Sequence, residues 1–198
     1  MRGSFKEVAN AALLPLRLVA SEPILSRLGL RSMRDERIRA ALPHCRGRVL
    51  DVGCGEGNRL VRSYQGPGVG VDVHPWPGAD IICDTERLPF ASGSFDTVTI
   101  LAALNHIPHR VEVMRECGRV LTPSGALLVT MIGPFLGKVR HRLAWWDRDQ
   151  RERRHAAGEV AGMSERDVVE AMGKAGFRVR RRVRFVCGLN SLYIAGVR

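Results

Sequence analysis

Between residues 47 and 132, short apolar runs alternate with turn signals and with segments of helical spacing, the pattern of strand–helix units wound around a parallel sheet. Arg48-Val49-Leu50-Asp51-Val52 reads as a buried strand running into a glycine-rich turn, and Gly68 to Val73 as a second strand halted by Pro75 and Pro77. Ala79 to Cys83 is a short third strand. Phe95 to Leu101 is a β-branched fourth, and Gly125 to Ile132 a fifth introduced by the turn Pro123-Ser124-Gly125. Helical spacing predicts Asn58 to Tyr64, Arg110 to Leu121 and Glu165 to Ala175, the last with Ser164 as N-cap and Gly176 as terminator. Phe177 to Val186 then alternates, with Arg178, Arg180, Arg182 and Arg184 on one face and Val179, Val183 and Phe185 on the other, while Arg181 spoils the apolar side. Leu192 to Val197 follows closely enough to be its antiparallel neighbour. The expected fold is α/β: a doubly wound, mostly parallel seven-stranded sheet with an antiparallel terminal hairpin.

Outside this unit the pattern changes. Residues 1–46 read as helical, with Met33 to Leu42 stopped by Pro43, and they form a candidate cap or lid over a core of residues 47–198. Their leucines (Leu13, Leu14, Leu16, Leu18) suit a lid, a membrane-surface helix or a dimer helix. Residues 137–163 are irregular and charged, yet carry Trp145-Trp146, and are the candidate substrate-covering insertion.

Composition changes the picture in one respect. The 198 residues carry a net charge of +11, distributed as +5 over 1–46, −2 over 47–135 and +8 over 136–198. A near-neutral middle lies between two basic flanks, which favours anionic partners in general. Nearly all the basic residues are Arg, a bias that GC-rich coding also produces, so a nucleic-acid substrate is not favoured. Five cysteines without a C-x-x-C pair point to a reducing, cytoplasmic setting and to no metal site; Pro15 and Arg17 break the apolar stretch that a signal peptide would need.

The chemistry concentrates in Val49-Leu50-Asp51-Val52-Gly53-Cys54-Gly55-Glu56-Gly57. Glycines 53, 55 and 57 let backbone pass close to a ligand, but neither register completes G-x-G-x-x-G, since position 58 is Asn and position 60 is Leu. Glu56 in the loop and Asp51 before it repel a pyrophosphate, which disfavours a nicotinamide dinucleotide and suits a phosphate-free ligand bearing an ammonium group. Asp72, at the end of strand two, is placed to accept both hydroxyls of a ribose; its alternative role is capping the turn before Pro75. Asp84, after strand three, can accept from an adenine amine. Adenine, ribose and a cationic amino acid together describe S-adenosylmethionine.

The segments RVLDVGCGEGN, GVGVDVHP, CDTERLPFASGSFDTVTI and ECGRVLTPSGALLVTM, in this order, resemble the class I S-adenosylmethionine-dependent methyltransferases of the compact, small-molecule (type 11-like) subgroup, over roughly residues 47–132. Ser124 departs from the glycine usual at that turn. The resemblance implies a Rossmann-like fold and cofactor contacts from Asp51, Gly53, Cys54, Gly55, Gly57, Asp72, Val73, Asp84, Thr85 and Leu101. The methyl donor would leave as S-adenosylhomocysteine. Methyl transfer from a sulfonium needs alignment, exclusion of water and, for some nucleophiles, a base. His106 is the candidate base; His109, Trp145, Trp146 and His155 are candidate substrate contacts, with His141 and Glu159 as further proton acceptors. His106 and His109 do not read as a metal pair, because Pro108 breaks the helix that would align them. The expected partner is a small-molecule acceptor, in a monomer or homodimer. An RNA or protein methyltransferase using the basic flanks, and a noncatalytic cofactor-binding module, are the competing readings.

Overall fold

The computed structural model describes residues 2–143 and 158–198, with the side chains of 2–5, 140 and 141 left aside. Among these residues four helices come first: α1 (Arg2–Ala12), α2 (Leu14–Val19), α3 (Glu22–Arg27) and α4 (Met33–Ala41). Then β1 (Val49–Val52), α5 (Arg59–Ser63), β2 (Gly68–Asp72), β3 (Ile81–Ile82), β4 (Phe95–Leu101), α6 (Arg110–Val120), β5 (Leu121–Ile132), α7 (Pro134–Leu143), α8 (Glu165–Lys174), β6 (Phe177–Phe185) and β7 (Asn190–Val197) follow. The strands form one seven-stranded sheet in the order β3-β2-β1-β4-β5-β7-β6. β1 to β5 pair in parallel and β7 joins β5 and β6 antiparallel, as the strand pattern leads one to expect. No helix among the described residues is long and apolar enough to cross a membrane.

Each face of the sheet buries its own core. Leu50, Val52, Val98 and Ile100 pack with Val113, Met114, Val168 and Met172 of α6 and α8. Val49, Leu128 and Leu192 pack on the other face with Ile38, Ala41 and Leu60 from α4 and α5. Alternation along each strand therefore supplies both faces, and a one-residue slip would exchange them.

Three local expectations are corrected. Pro123-Ser124-Gly125 lie inside β5 rather than before it: Leu121 pairs with Phe95 and Ala126 with Thr97, so the intervening residues bulge out of the ladder. In β6 the register slips between Val179 and Arg181. That bulge sends Val179 to the α8 face and Val183 and Phe185 to the α4 face, so the three do not share a side. It also explains Arg181, and it turns Arg182 toward α8, where its guanidinium pairs with Glu165. Finally, the region expected to be irregular from 137 opens with a regular helix, α7.

Candidate functional site

A cavity of about 740 Å³ opens at the C-terminal ends of β1, β2 and β4, where ligands sit in sheets of this kind. Its floor is the glycine turn. Gly53, Gly55 and Gly57 all have positive φ, a conformation that side chains adopt at a cost. Gly53 and Cys54 both donate to Val71 O, at 2.9 and 3.1 Å, which ties the turn to β2. A Cβ on Gly53 would stand 2.6 Å from that of Ala103, whereas one on Gly55 would meet nothing within 4 Å. Gly53 is therefore required by packing. Gly55 leaves its backbone facing the cavity, the arrangement a ligand pressed against the turn requires.

Three carboxylates stand around this floor. Asp72 accepts from Gly55 N–H through Oδ2 and from His74 N–H through Oδ1, each at 2.9 Å, so it shapes the glycine turn and caps its own turn at once. Asp51 is buried, takes a hydrogen bond of 2.5 Å from Thr99 Oγ1, and has its carboxyl pushed up to about 7, chiefly by burial and further by Asp72. A buried carboxyl in that state is suited to gaining a cationic partner. Asp84 is exposed, lines the cavity and accepts from Glu86 N–H through Oδ1. Cys54, between these carboxylates, is pushed far up by burial and by the nearby acids, so it stays a thiol and offers no nucleophile.

Of the residues expected from sequence, Asp51, Gly53, Cys54, Gly55, Asp72, Val73, Asp84, Thr85, Leu101 and His106 line this one cavity. Gly57 does not line it; its backbone abuts Gly78, where an added Cβ would come within 3.1 Å of Gly57 Cα. His109 is exposed at the start of α6, outside the wall. Trp145, Trp146 and His155 lie outside the described residues, and His141 belongs to α7.

Both ring nitrogens of His106 face a polar side chain. Its Nδ1 lies 3.2 Å from Glu159 Oε2, and its Nε2 lies 3.0 Å from Asn105 Nδ2. Asn105 also donates to Val160 O at 3.1 Å and accepts Val160 N–H at 2.9 Å through its backbone oxygen. The stretch 158–163 is thus strapped beside the strand-four loop, with Ala161 in the cavity wall. With Asn105 donating to Nε2, the neutral imidazole carries its proton on Nδ1 and gives it to Glu159.

The opposite wall comes from the N-terminal helices, through Leu18, Leu25, Met33, Arg37 and Ile38 among others. Their frame is Arg17, 3% exposed, which donates to Arg31 O, Asn10 O and Glu36 Oε1 at 2.8, 2.5 and 2.5 Å. Arg31 closes the network onto Glu36 and Glu7. Sequence reading missed Arg17 as a framework residue, because an Arg between leucines looks solvent-facing until its partners at 10, 31 and 36 are brought to it. It also missed Ala102, a non-glycine at φ 57 that lines the cavity and donates to Thr130 Oγ1.

Comparison with known proteins places this arrangement. The methyltransferase-domain family matches residues 25–181. The 27-O-demethylrifamycin SV methyltransferase of Amycolatopsis mediterranei is 32% identical over 121 residues, which cover 51% of this chain and 43% of that protein. The phthiotriol/phenolphthiotriol dimycocerosates methyltransferase 1 of Mycobacterium ulcerans is 31% identical over 137 residues, covering 61% and 47% respectively. The chain thus matches a little under half the length of these curated relatives. A solved SAM-dependent methyltransferase of Thermotoga maritima shares the fold, with a TM-score of 0.61 and 17% identity over 82% of this chain and 88% of that one.

Proposed function

The chain belongs to the methyltransferase-domain family, as a class I S-adenosylmethionine-dependent member, and from that premise we propose that it methylates a largely apolar small molecule. The observation that carries this reading is the floor of the cavity: Asp51, Asp72 and Asp84 around a glycine turn whose Gly55 faces open space. This donor set fits S-adenosylmethionine. It offers carboxylate acceptors for an ammonium, a ribose diol and an adenine amine. When bound, the cofactor supplies a methyl group activated by its sulfonium sulfur.

The chain's own residues then have three tasks. Asp51 neutralises the ammonium, Asp72 orients the ribose and Asp84 reads the adenine. The N-terminal cap, residues 1–46, and the strap at 158–163 within the core of residues 47–198 cover the cavity and keep water from the reacting carbon. His106 takes the acceptor's proton at Nε2 once the acceptor displaces the Asn105 amide, and Glu159 holds the tautomer and stabilises the imidazolium that results. The walls beyond the cofactor, Leu18, Leu25, Met33, Ile38, Ile107 and Ile132, support an acceptor with an extended apolar body. The two curated relatives are named for small-molecule acceptors, a demethylrifamycin and phthiotriol or phenolphthiotriol dimycocerosates.

The arginines of β6 support the alternative of a nucleic-acid acceptor poorly. β6 is the edge strand farthest from β1, and its exposed Arg178, Arg180 and Arg184 lie outside the cavity wall. Charge on an open edge is a common device against strand pairing with another molecule.

Calorimetry with S-adenosylmethionine and with NAD, followed by transfer of labelled methyl to a panel of hydrophobic hydroxyl and enol acceptors and to RNA, tests the proposal. Binding of the former cofactor alone and labelling of the small molecules are expected. Binding of NAD, or labelling of RNA only, would discard it. His106→Gln is expected to cut turnover by about 10²–10⁴-fold with cofactor affinity retained.

A further inference from the structure

Two helices that border the cavity also carry exposed apolar side chains. α2 packs against α7, and both border the cavity, through Arg17 and Leu18 on one side and Gly137 on the other. Gly137 is buried against the strap, where a Cβ would strike Ala161 O. The positions of α7 that turn away from it are Phe135, Lys138, Arg142 and Leu143. Phe135 is 80% exposed and Leu143 49%; Leu13 and Leu16, at the junction of α1 and α2, are 44% and 36% exposed. An exposed Phe and three exposed Leu on two helices that touch each other and border the cavity call for a partner surface.

The charges of these elements have one sign. α7 (PFLGKVRHRL) and α2 (LPLRLV) contain no acidic residue, and Lys138 and Arg142 recur on the same exposed stripe as Phe135. Long basic side chains beside an apolar ring are the composition of a helix lying in a lipid interface, where the ring enters the acyl boundary and the cations reach the headgroups. We infer that the face formed by α2, the α1–α2 junction and α7 rests on an anionic lipid surface, so that an apolar acceptor passes from the bilayer into the cavity without crossing water. Charge complementarity selects this occupant. A second copy would bring the same cations against these, and a nucleic acid would leave the aliphatic residues uncovered. The passage of the acceptor rests on the proposed function, whereas lipid binding is read with no acceptor present, so the two can fail separately.

The test is co-sedimentation of the full chain with vesicles of phosphatidylcholine mixed with phosphatidylglycerol and with vesicles of phosphatidylcholine alone. Binding to the mixed vesicles, weakened but not abolished by salt, is expected. Phe135→Ser, at a position too exposed to endanger folding, should lower that binding about tenfold, and Lys138→Glu with Arg142→Glu by on the order of tenfold or more. An unchanged melting temperature keeps these losses from being read as unfolding. No binding to either vesicle, or binding indifferent to both variants, overturns the proposal. Stronger retention on polyuridylate than on vesicles, or a dimer that Phe135→Ser dissolves, would replace it with the corresponding occupant.

Discussion

The wall that β1, β2 and the glycine turn present to the cavity and the wall that residues 10–38 present to it are held by different forces. On the first, short bonds from backbone N–H groups do the work: Gly53 and Cys54 donate to Val71 O, and Gly55 and His74 donate to the Asp72 carboxylate, all within residues 53–74. On the second, ion pairs between helices do it: Arg17 and Arg31 with Glu36, and Glu22 with both Arg34 and Arg59. The Arg17 pair is buried, whereas the Glu22 cluster is about two-fifths exposed. A backbone-held site keeps its shape whatever is bound. A wall of helices joined partly by screened charges is held less firmly, and Glu22–Arg59 and Arg34 to Glu56 O are the contacts that link it to the turn side.

The largest effect should come from the rigid wall. Gly55→Val places a branched side chain in the space reserved for the ligand and forces it to φ near 63, so cofactor affinity should fall by about 100-fold or more. The backbone strain should cost only about 1–2 kcal/mol of stability. Native affinity by calorimetry would mean that the turn does not touch the cofactor.

Asp72→Asn comes next. It removes a charged acceptor from the ribose side, an expected loss of about 1.5–3 kcal/mol in cofactor binding. Because Asp72 also takes the N–H groups of Gly55 and His74, the amide must turn its NH₂ against one of them, and the melting temperature should fall too. Weakened binding with an unmoved melting curve would show that these two bonds add nothing to the turn.

A subtler effect distinguishes Asp51. Its carboxyl titrates near 7 in the fold against 3.8 when unperturbed, so between those values the folded chain holds a proton that the unfolded chain has released. Its contribution to stability is therefore full below about pH 4 and is lost as pH rises through about 7. A bound ammonium favours the ionised form, so cofactor binding below pH 7 should release a proton, and affinity should rise with pH until about 7. Calorimetry in buffers of different ionisation heat measures this. Asp51→Asn should abolish the proton release, weaken binding and leave the unliganded protein at least as stable at pH 8. Heats independent of buffer would remove Asp51 from the ammonium site.

The smallest effect belongs to the cap. Glu22→Gln breaks two half-exposed ion pairs, worth roughly 0.2–1 kcal/mol each and less in high salt. It should leave melting nearly unchanged and make acceptor KM less sensitive to ionic strength. A melting loss as large as that of Asp72→Asn would mean that the two walls do not differ as their contacts indicate.

By itself the sequence determined the sheet, its strand sequence and most of the residues that line one side of the cavity. These depend on local rules: two-residue alternation, glycine where φ must be positive, and carboxylates at or just beyond strand ends. Their signals lie within a few residues of one another, so they can be read without the fold. Asn58, which spoils the dinucleotide pattern, is only half legible: its φ of 45 belongs to the local turn into α5, but it is fully buried because its Nδ2 donates to Asp80, 22 residues away. The tertiary structure alone decided the rest. The bulge after Val179 reversed which face Val183 and Phe185 bury, and no alternation pattern encodes an inserted residue. His106 met Glu159 across 53 residues, and Arg17 met Glu36 across 19. In both cases the partners are charged or polar residues that, read in sequence, look solvent-facing. Only when the chain closes are they withdrawn from water, and then each needs a partner that the folded neighbourhood supplies.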